Sequence, residues 1–210
     1  MNLRWKIAQF FEAWWWRRYL RGKSLPDYLV WKRGYWLDFL QKIGLEVPAT
    51  ASILDAGCGP AGIFLVFPEN KTTAVDPLLG KYRPMFPHFT DGTLRNVRFL
   101  EQPLESYAAA VPFDLVFCLN AINHVADLEL CLQKLRQATR PGGKLVLSVD
   151  AHNYAAFKRI FQLVPGDILH PHQLDLADYK NLLHAHGFEV EQEFLFKKEF
   201  FFGYWVLVVR

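Results

Sequence analysis

The sequence predicts an α/β fold: a doubly wound, mostly parallel seven-stranded sheet with an antiparallel last strand, plus N-terminal helices. Three observations carry this. From residue 51 onward, short apolar runs alternate with helix-sized segments, the rhythm of strand–helix–strand units. Those runs are apolar throughout instead of alternating with polar residues, so both faces are covered, as in a parallel sheet. The last two runs, "FEVEQEFLF" and "FFGYWVLVV", are parted only by a short polar break at Lys197–Glu199. A parallel crossover needs about a dozen residues or more, so these two form an antiparallel hairpin.

Taken in order, residues 3–21 read as a helix, with Leu3, Ile7, Phe10, Phe11, Trp14 and Trp15 at three- and four-residue steps. "GKS" breaks that pattern. Ser24 then caps a second helix, from about Pro26 to Ile43, whose apolar side carries Leu29, Tyr35, Trp36, Phe39 and Leu40; Gly44 ends it. The chain divides into an N-terminal helical segment, 1–48, and an α/β domain, 49–210. The first five strands are "SILDAG" (52–57), "TTAVD" (72–76), "VRFLEQ" (97–102), "FDLVFCLN" (113–120) and "KLVLSVD" (144–150). Helical connectors fit at 60–67, 125–139 and 174–186. Pro141, Gly142 and Gly143 form a turn before the fifth strand.

With 210 residues the chain is long enough for one well-buried domain, and 51% hydrophobic against 21% charged residues is a globular composition. No run of about 18 apolar residues spans a membrane, and no secretory leader is visible. Three scattered cysteines make neither a metal pattern nor a disulfide framework, which points to a cytoplasmic protein. The net charge of +3 is uneven. Residues 1–33 hold eight Lys/Arg and two acids, and the remainder is net negative. That distribution speaks against a nucleic-acid footprint across the whole fold.

The stretch "ILDAGCGPAG" (53–62) carries the chemistry. Glycines after a first strand allow a tight turn and a ligand close to the backbone, and a following helix would aim free N–H groups at it. Asp55 at the strand end suits an ammonium group better than a pyrophosphate. Asp76, nineteen residues after Gly57, closes the second strand where an acid accepts both ribose hydroxyls. An acid at the glycine turn and an acid on the next strand suggest a nucleoside joined to an amino acid, as in S-adenosylmethionine.

On these residues the chain resembles the class I S-adenosylmethionine-dependent methyltransferases, a Rossmann-like family. "ILDAGCGPAG" is similar to their glycine motif, "TAVDPL" to their second-strand acid, "FDLVFCLNAINHV" to their fourth-strand motif, and "PGGKLVLSVD" to the turn and strand after it. The resemblance covers about residues 50–210. It implies S-adenosylmethionine as cofactor and S-adenosylhomocysteine as product. Asp55, Gly57 and Gly59 would hold the methionine end, and Asp76 the ribose, with Pro77 and Leu78 beside the adenine. Either Glu101 or Gln102 would meet the adenine amino group, and Asn120 would lie beside the sulfonium. Ala61 stands where the motif usually has its third glycine, and Gly62 follows.

Methyl transfer needs alignment and exclusion of water, with a general base when the acceptor is a hydroxyl or an acidic carbon. His124 is the candidate catalytic base; its alternative is to serve the entry of the next helix or a substrate wall. His152 follows the fifth strand at the ligand-binding face. His170 and His172 flank Pro171 with no third ligand, so no metal is expected. His184 and His186 suit a helix C-terminus. "NAIN" after the fourth strand departs from the Asn/Asp-Pro-Pro-Tyr/Phe of enzymes that methylate base amino groups.

The leading reading is therefore a methyltransferase for a small-molecule or lipid-like acceptor, with residues 1–48 as a lid. Its tryptophans and tyrosines either line the acceptor pocket or pack as ordinary core. A nucleic-acid (RNA) methyltransferase with a basic N-terminal arm and a non-catalytic methyltransferase-like binding module are the alternatives. Residues 1–23 join aromatics to Arg and Lys in the manner of an interfacial helix, which would make the protein peripheral to a membrane.

Overall fold

The computed structural model describes residues 14–90, 92–153, 172 and 174–210. Seven strands form one sheet: β1 (Ile53–Ala56), β2 (Thr72–Val75), β3 (Val97–Leu100), β4 (Phe113–Cys118), β5 (Thr139–His152), β6 (Val190–Lys198) and β7 (Phe202–Val209). Their order is β3-β2-β1-β4-β5-β7-β6. The first five are parallel, and β7 runs antiparallel to both β5 and β6. This is the doubly wound sheet with a reversed last strand that the sequence predicts.

Three longer helices flank it: α1 (Leu25–Lys42), α2 (Leu128–Ala138) and α3 (Leu176–Ala185). Ser24 caps α1 by accepting from Asp27 N, and Pro26 in the first turn loses no hydrogen bond there. Asp127 caps α2 through Leu130 N at 3.0 Å. Asp175 and Asp178 cap α3 reciprocally, each side chain accepting from the other's backbone N–H. Of the N-terminal helix predicted over 3–21, residues 14–19 are helical; residues 1–13 lie outside the described residues.

The apolar strands bury both faces. Val116 and Cys118 of β4 join the core under α2 and α3, with Leu54, Leu145 and Leu183. Leu115 and Phe117 point the other way, into the core under α1, with Trp36, Phe39 and Ile53. This is the period of two of a strand covered by helices on both sides.

Two local expectations are corrected. The helix expected over 60–67 is a single 3₁₀ turn, Ile63–Val66. Asp55 accepts from Phe64 N at 3.1 Å, which draws the chain down onto the strand end before an α-helix can start. The turn expected at Pro141–Gly143 is a wide bulge inside β5, whose pairing steps from Phe113↔Thr139 to Leu115↔Lys144. Gly142 supplies the left-handed backbone for it, with φ 76°.

Candidate functional site

The strand order reverses between β1 and β4, and the crevice beyond their C-terminal ends is where a doubly wound sheet binds ligands. The segment after β1 and the segment after β4 meet there. Gly57 is left-handed (φ 72°), and a Cβ on it would stand 2.2 Å from Ala121 Cβ, so only glycine fits. The N–H groups of Gly57 and Cys58 donate to Val75 O at 2.7 and 3.1 Å, fixing the loop to β2.

The acids converge on this loop. Asp76 Oδ2 accepts from Gly59 N at 2.9 Å and its Oδ1 from Leu78 N at 2.8 Å. Pro77 and Leu78 follow directly, and Leu78 is buried. Asp55 is 2% exposed, and burial pushes its carboxyl up to about 7. The Phe64 N–H opposes that rise, the Asp76 charge adds to it, and the Ile63 N–H and Lys32 oppose it. Gly62 leaves space for this carboxylate: a Cβ there would lie 2.4 Å from Asp55 Oδ2.

Lys32 was not foreseen in the sequence. It reaches from α1 towards Asp55, with its ammonium 4.3 Å from the Tyr35 ring centre and 4.4 Å from that of Trp36. Burial lowers its pKa to about 8, against the attraction of Asp55. The Trp36 indole N–H donates to Ala61 O at 3.0 Å and pins α1 to the glycine loop. The hydroxyls of Tyr35 and Tyr204 lie together beside Ser148. α1 thus crosses the C-terminal ends of the central strands. No local signal marks Lys32, because the carboxylate it faces, Asp55, lies on β1, twenty-three residues away.

Asn120, two residues past β4, is in a left-handed conformation (φ 54°), its N–H donating to Ser148 Oγ at 2.8 Å. Asn123 is buried: its amide donates to Asp150 O at 3.3 Å, and its Oδ1 accepts from Tyr179 at 3.4 Å. His124 closes the 3₁₀ turn Ile122–His124, between β4 and α2, and is exposed. It is not the cap of α2, which is Asp127. Gln102 is half-buried after β3, whereas Glu101 is exposed with its carboxylate against Gly80.

The remaining histidines disperse. His152 is buried with its ring 4.4 Å from Phe202. His172 Nε2 lies 2.8 Å from Val125 O. His186 caps α3, its Nδ1 2.9 Å from Leu182 O and its Nε2 3.1 Å from Glu129. His184 is in the last turn of the same helix. His170 lies outside the described residues. Among the described residues no three His, Cys, Asp or Glu side chains group as metal ligands.

Comparison with known proteins matches this geometry. A family described as a methyltransferase domain covers residues 28–193. The chain is 27% identical over 136 residues to a trans-aconitate 2-methyltransferase of Azoarcus sp., covering 61% of this chain and 50% of that protein. It is 27% identical over 160 residues to a ubiquinone biosynthesis O-methyltransferase of Pseudomonas fluorescens, covering 74% and 65% respectively. The chain therefore spans between half and two thirds of the length of these relatives. Among solved structures, the magnesium protoporphyrin IX methyltransferase of Synechocystis with bound S-adenosylhomocysteine superposes with TM-score 0.63. It shares 19% identity, covering 95% of this chain and 94% of that one. A didemethyltoxoflavin N1-methyltransferase of Burkholderia thailandensis with the same product gives 0.62 at 18% identity, covering 100% and 91%. With a glycine turn at the sheet's switch point, two acids converging on it and a family match across most of its length, the chain belongs to the class I S-adenosylmethionine-dependent methyltransferases.

Proposed function

We propose that this chain transfers a methyl group from S-adenosylmethionine to a small-molecule or lipid-like acceptor. The observation that carries this is the loop 57–62, held open against Ala121 with Asp55 beneath it and Asp76 beside it. The residues fit the cofactor's donor and acceptor set. Asp55 and the Gly57–Gly59 backbone would hold the amino-acid end, with Asp55 facing the ammonium. The Asp76 carboxylate, closing β2 beside the glycine loop, would take the ribose hydroxyls. Pro77 and Leu78 would flank the adenine, Gln102 would meet its amino group, and Asn120 would border the sulfur. Lys32 extends the site with a cation for the carboxylate end.

S-adenosylmethionine supplies an electrophilic methyl group on its sulfonium. The protein's part is to hold the acceptor in line and keep water out. α1 would serve as part of the lid formed by residues 1–48. For a hydroxyl or carbon acid, His124 would take the proton. The relatives named for trans-aconitate and ubiquinone biosynthesis support the small-molecule class.

Calorimetric titration with S-adenosylhomocysteine tests the reading. The expected result is tight binding by the wild type and none by a folded Asp76→Ala variant. A folded wild type that binds none removes the proposal. For the base, His124→Gln should cut turnover about a hundredfold or more while product affinity stays unchanged. Unaltered turnover would take His124 out of the mechanism.

A further inference from the structure

We propose that the outer face of the N-terminal helices docks on a membrane surface rich in anionic phospholipid. The proposal does not depend on the acceptor's identity, because it concerns the solvent-exposed side of these helices.

Trp16 and its neighbours separate in direction. Trp16 faces inward, in ring contact with Tyr28, Tyr82 and Phe86 at 5.9–6.5 Å. That anchor leaves Trp14 and Trp15 outside, 50% and 47% exposed. On α1, Val30 and Trp31 are also turned outward, 71% and 56% exposed. Water gives such large side chains no return for their exposure, and their clustering on consecutive helices marks an interaction surface.

The charges around them have one sign. Between residues 14 and 33 the chain carries six Lys/Arg and a single acid, Asp27. Lys32 turns inward to the site. Arg17, Arg18, Arg21, Lys23 and Arg33 are exposed. They sit among the aromatics: the Arg18 guanidinium lies 5.9 Å from the Trp14 ring centre and Lys23 Nζ 3.2 Å from that of Tyr19. Aromatic rings with interleaved Arg and Lys match the headgroup boundary of a bilayer, where rings enter the apolar edge and cations stay at the phosphates. A nucleic acid would use the cations and its unpaired bases could stack on the rings, but it would give Val30 no apolar phase to enter. Val30 and Arg33 also line a cavity of about 210 Å³ with Leu29, Leu65, His88, Thr93 and Leu94.

The contact proposed is a peripheral one; no helix among the described residues is long and apolar enough to cross a membrane. Because α1 also carries Lys32, Tyr35 and Trp36 on its inner side, docking would bring the crevice close to the lipid headgroups.

The test is flotation of the full-length protein with vesicles, one set of phosphatidylcholine alone and one of phosphatidylcholine and phosphatidylglycerol in equal parts. No methyl donor or acceptor is present, so the result is independent of catalysis. Binding is expected only to the anionic vesicles, and it should weaken as salt shortens the range of the charges. Reversing Arg17, Arg18 and Arg21 to Glu should lower the partition at least about a hundredfold, since each cation near such a surface contributes roughly a fivefold factor. Trp14→Ser with Val30→Ser should weaken binding without changing its salt dependence. Both variants should keep the wild-type melting temperature and S-adenosylhomocysteine affinity, which separates lost docking from lost folding. Equal binding to neutral vesicles, no binding at low salt, or capture of RNA that anionic vesicles do not displace would each overturn the proposal.

Discussion

Lowering the pH through neutrality should weaken S-adenosylhomocysteine binding, and Asp55→Asn should abolish that dependence. Burial raises the Asp55 carboxyl from 3.8 to about 7, mainly because no water reaches the ionised form. The ligand's ammonium needs the carboxylate, so binding draws on the ionised fraction alone. At pH 6 that fraction is about one in ten, and at pH 7.5 about three in four, so affinity should differ about eightfold. Binding at pH 6 should also release nearly one proton, seen as a titration enthalpy that changes with the buffer's ionisation heat. The ligand-free protein carries the opposite sign. The folded pKa lies above the unfolded one, so the folded state holds the proton between about pH 4 and pH 7. Stability from this group is full below that window and lost as pH rises through it, by at most about 4 kcal/mol. Asp55→Asn should therefore melt higher than wild type at pH 8 without ligand, while binding more weakly. Equal affinity at pH 6 and 7.5, or the same slope in the variant, would refute the assignment of Asp55 to the ammonium.

Three further outcomes follow from the geometry. Gly57→Ala should destabilise by about 2–4 kcal/mol in denaturant melts and abolish product binding, because it adds a left-handed penalty to a clash with Ala121. Gly59→Ala is the control: it is left-handed too (φ 57°) but opens onto free space, and should cost only about 1–2 kcal/mol. Trp36→Phe should cost about 1 kcal/mol through the lost bond to Ala61 and loosen the loop, read as faster amide exchange at Gly59 and Ala61. Cys58, Cys118 and Cys131 are buried, and burial raises all three thiols, that of Cys118 to about 12. They should resist a thiol reagent until the protein unfolds, and fast labelling of the native state would contradict their placement.

Where pattern and local chemistry agree, the sequence was a sufficient guide. The continuous apolar runs appear as buried parallel strands, and the short break at Lys197–Glu199 does produce the antiparallel β6–β7 pair. Ser24 stops and starts helices where its side chain predicts. Asp55, Gly57, Gly59 and Asp76, singled out by a tight turn followed by an acid on the next strand, do meet at the end of β1. What escaped depends on contacts across the chain. Pro60 and Gly62 look like a helix entry, yet the hydrogen bond from Phe64 to Asp55 sets a 3₁₀ turn instead. Pro141–Gly143 looks like a loop, but β4 pairs on both sides of it and absorbs it as a bulge. Lys32 looks like one of many surface cations until α1 folds it over Tyr35 and towards Asp55. Asn123 has no signal of its own; its burial depends on Tyr179, fifty-six residues later.

The single bond between the Trp36 indole and Ala61 has a consequence beyond holding a helix in place. It makes the roof and the floor of the crevice one thermodynamic unit. Free energy that orders α1 from outside also orders the glycine loop, and a ligand ordering the loop stabilises α1 by an equal amount, as linkage requires. A chain beginning after α1 would not be the same pocket uncovered. It would have lost the partner of a backbone carbonyl, the cation beside Asp55 and the aromatic wall together, and the loop would have to find its shape unaided.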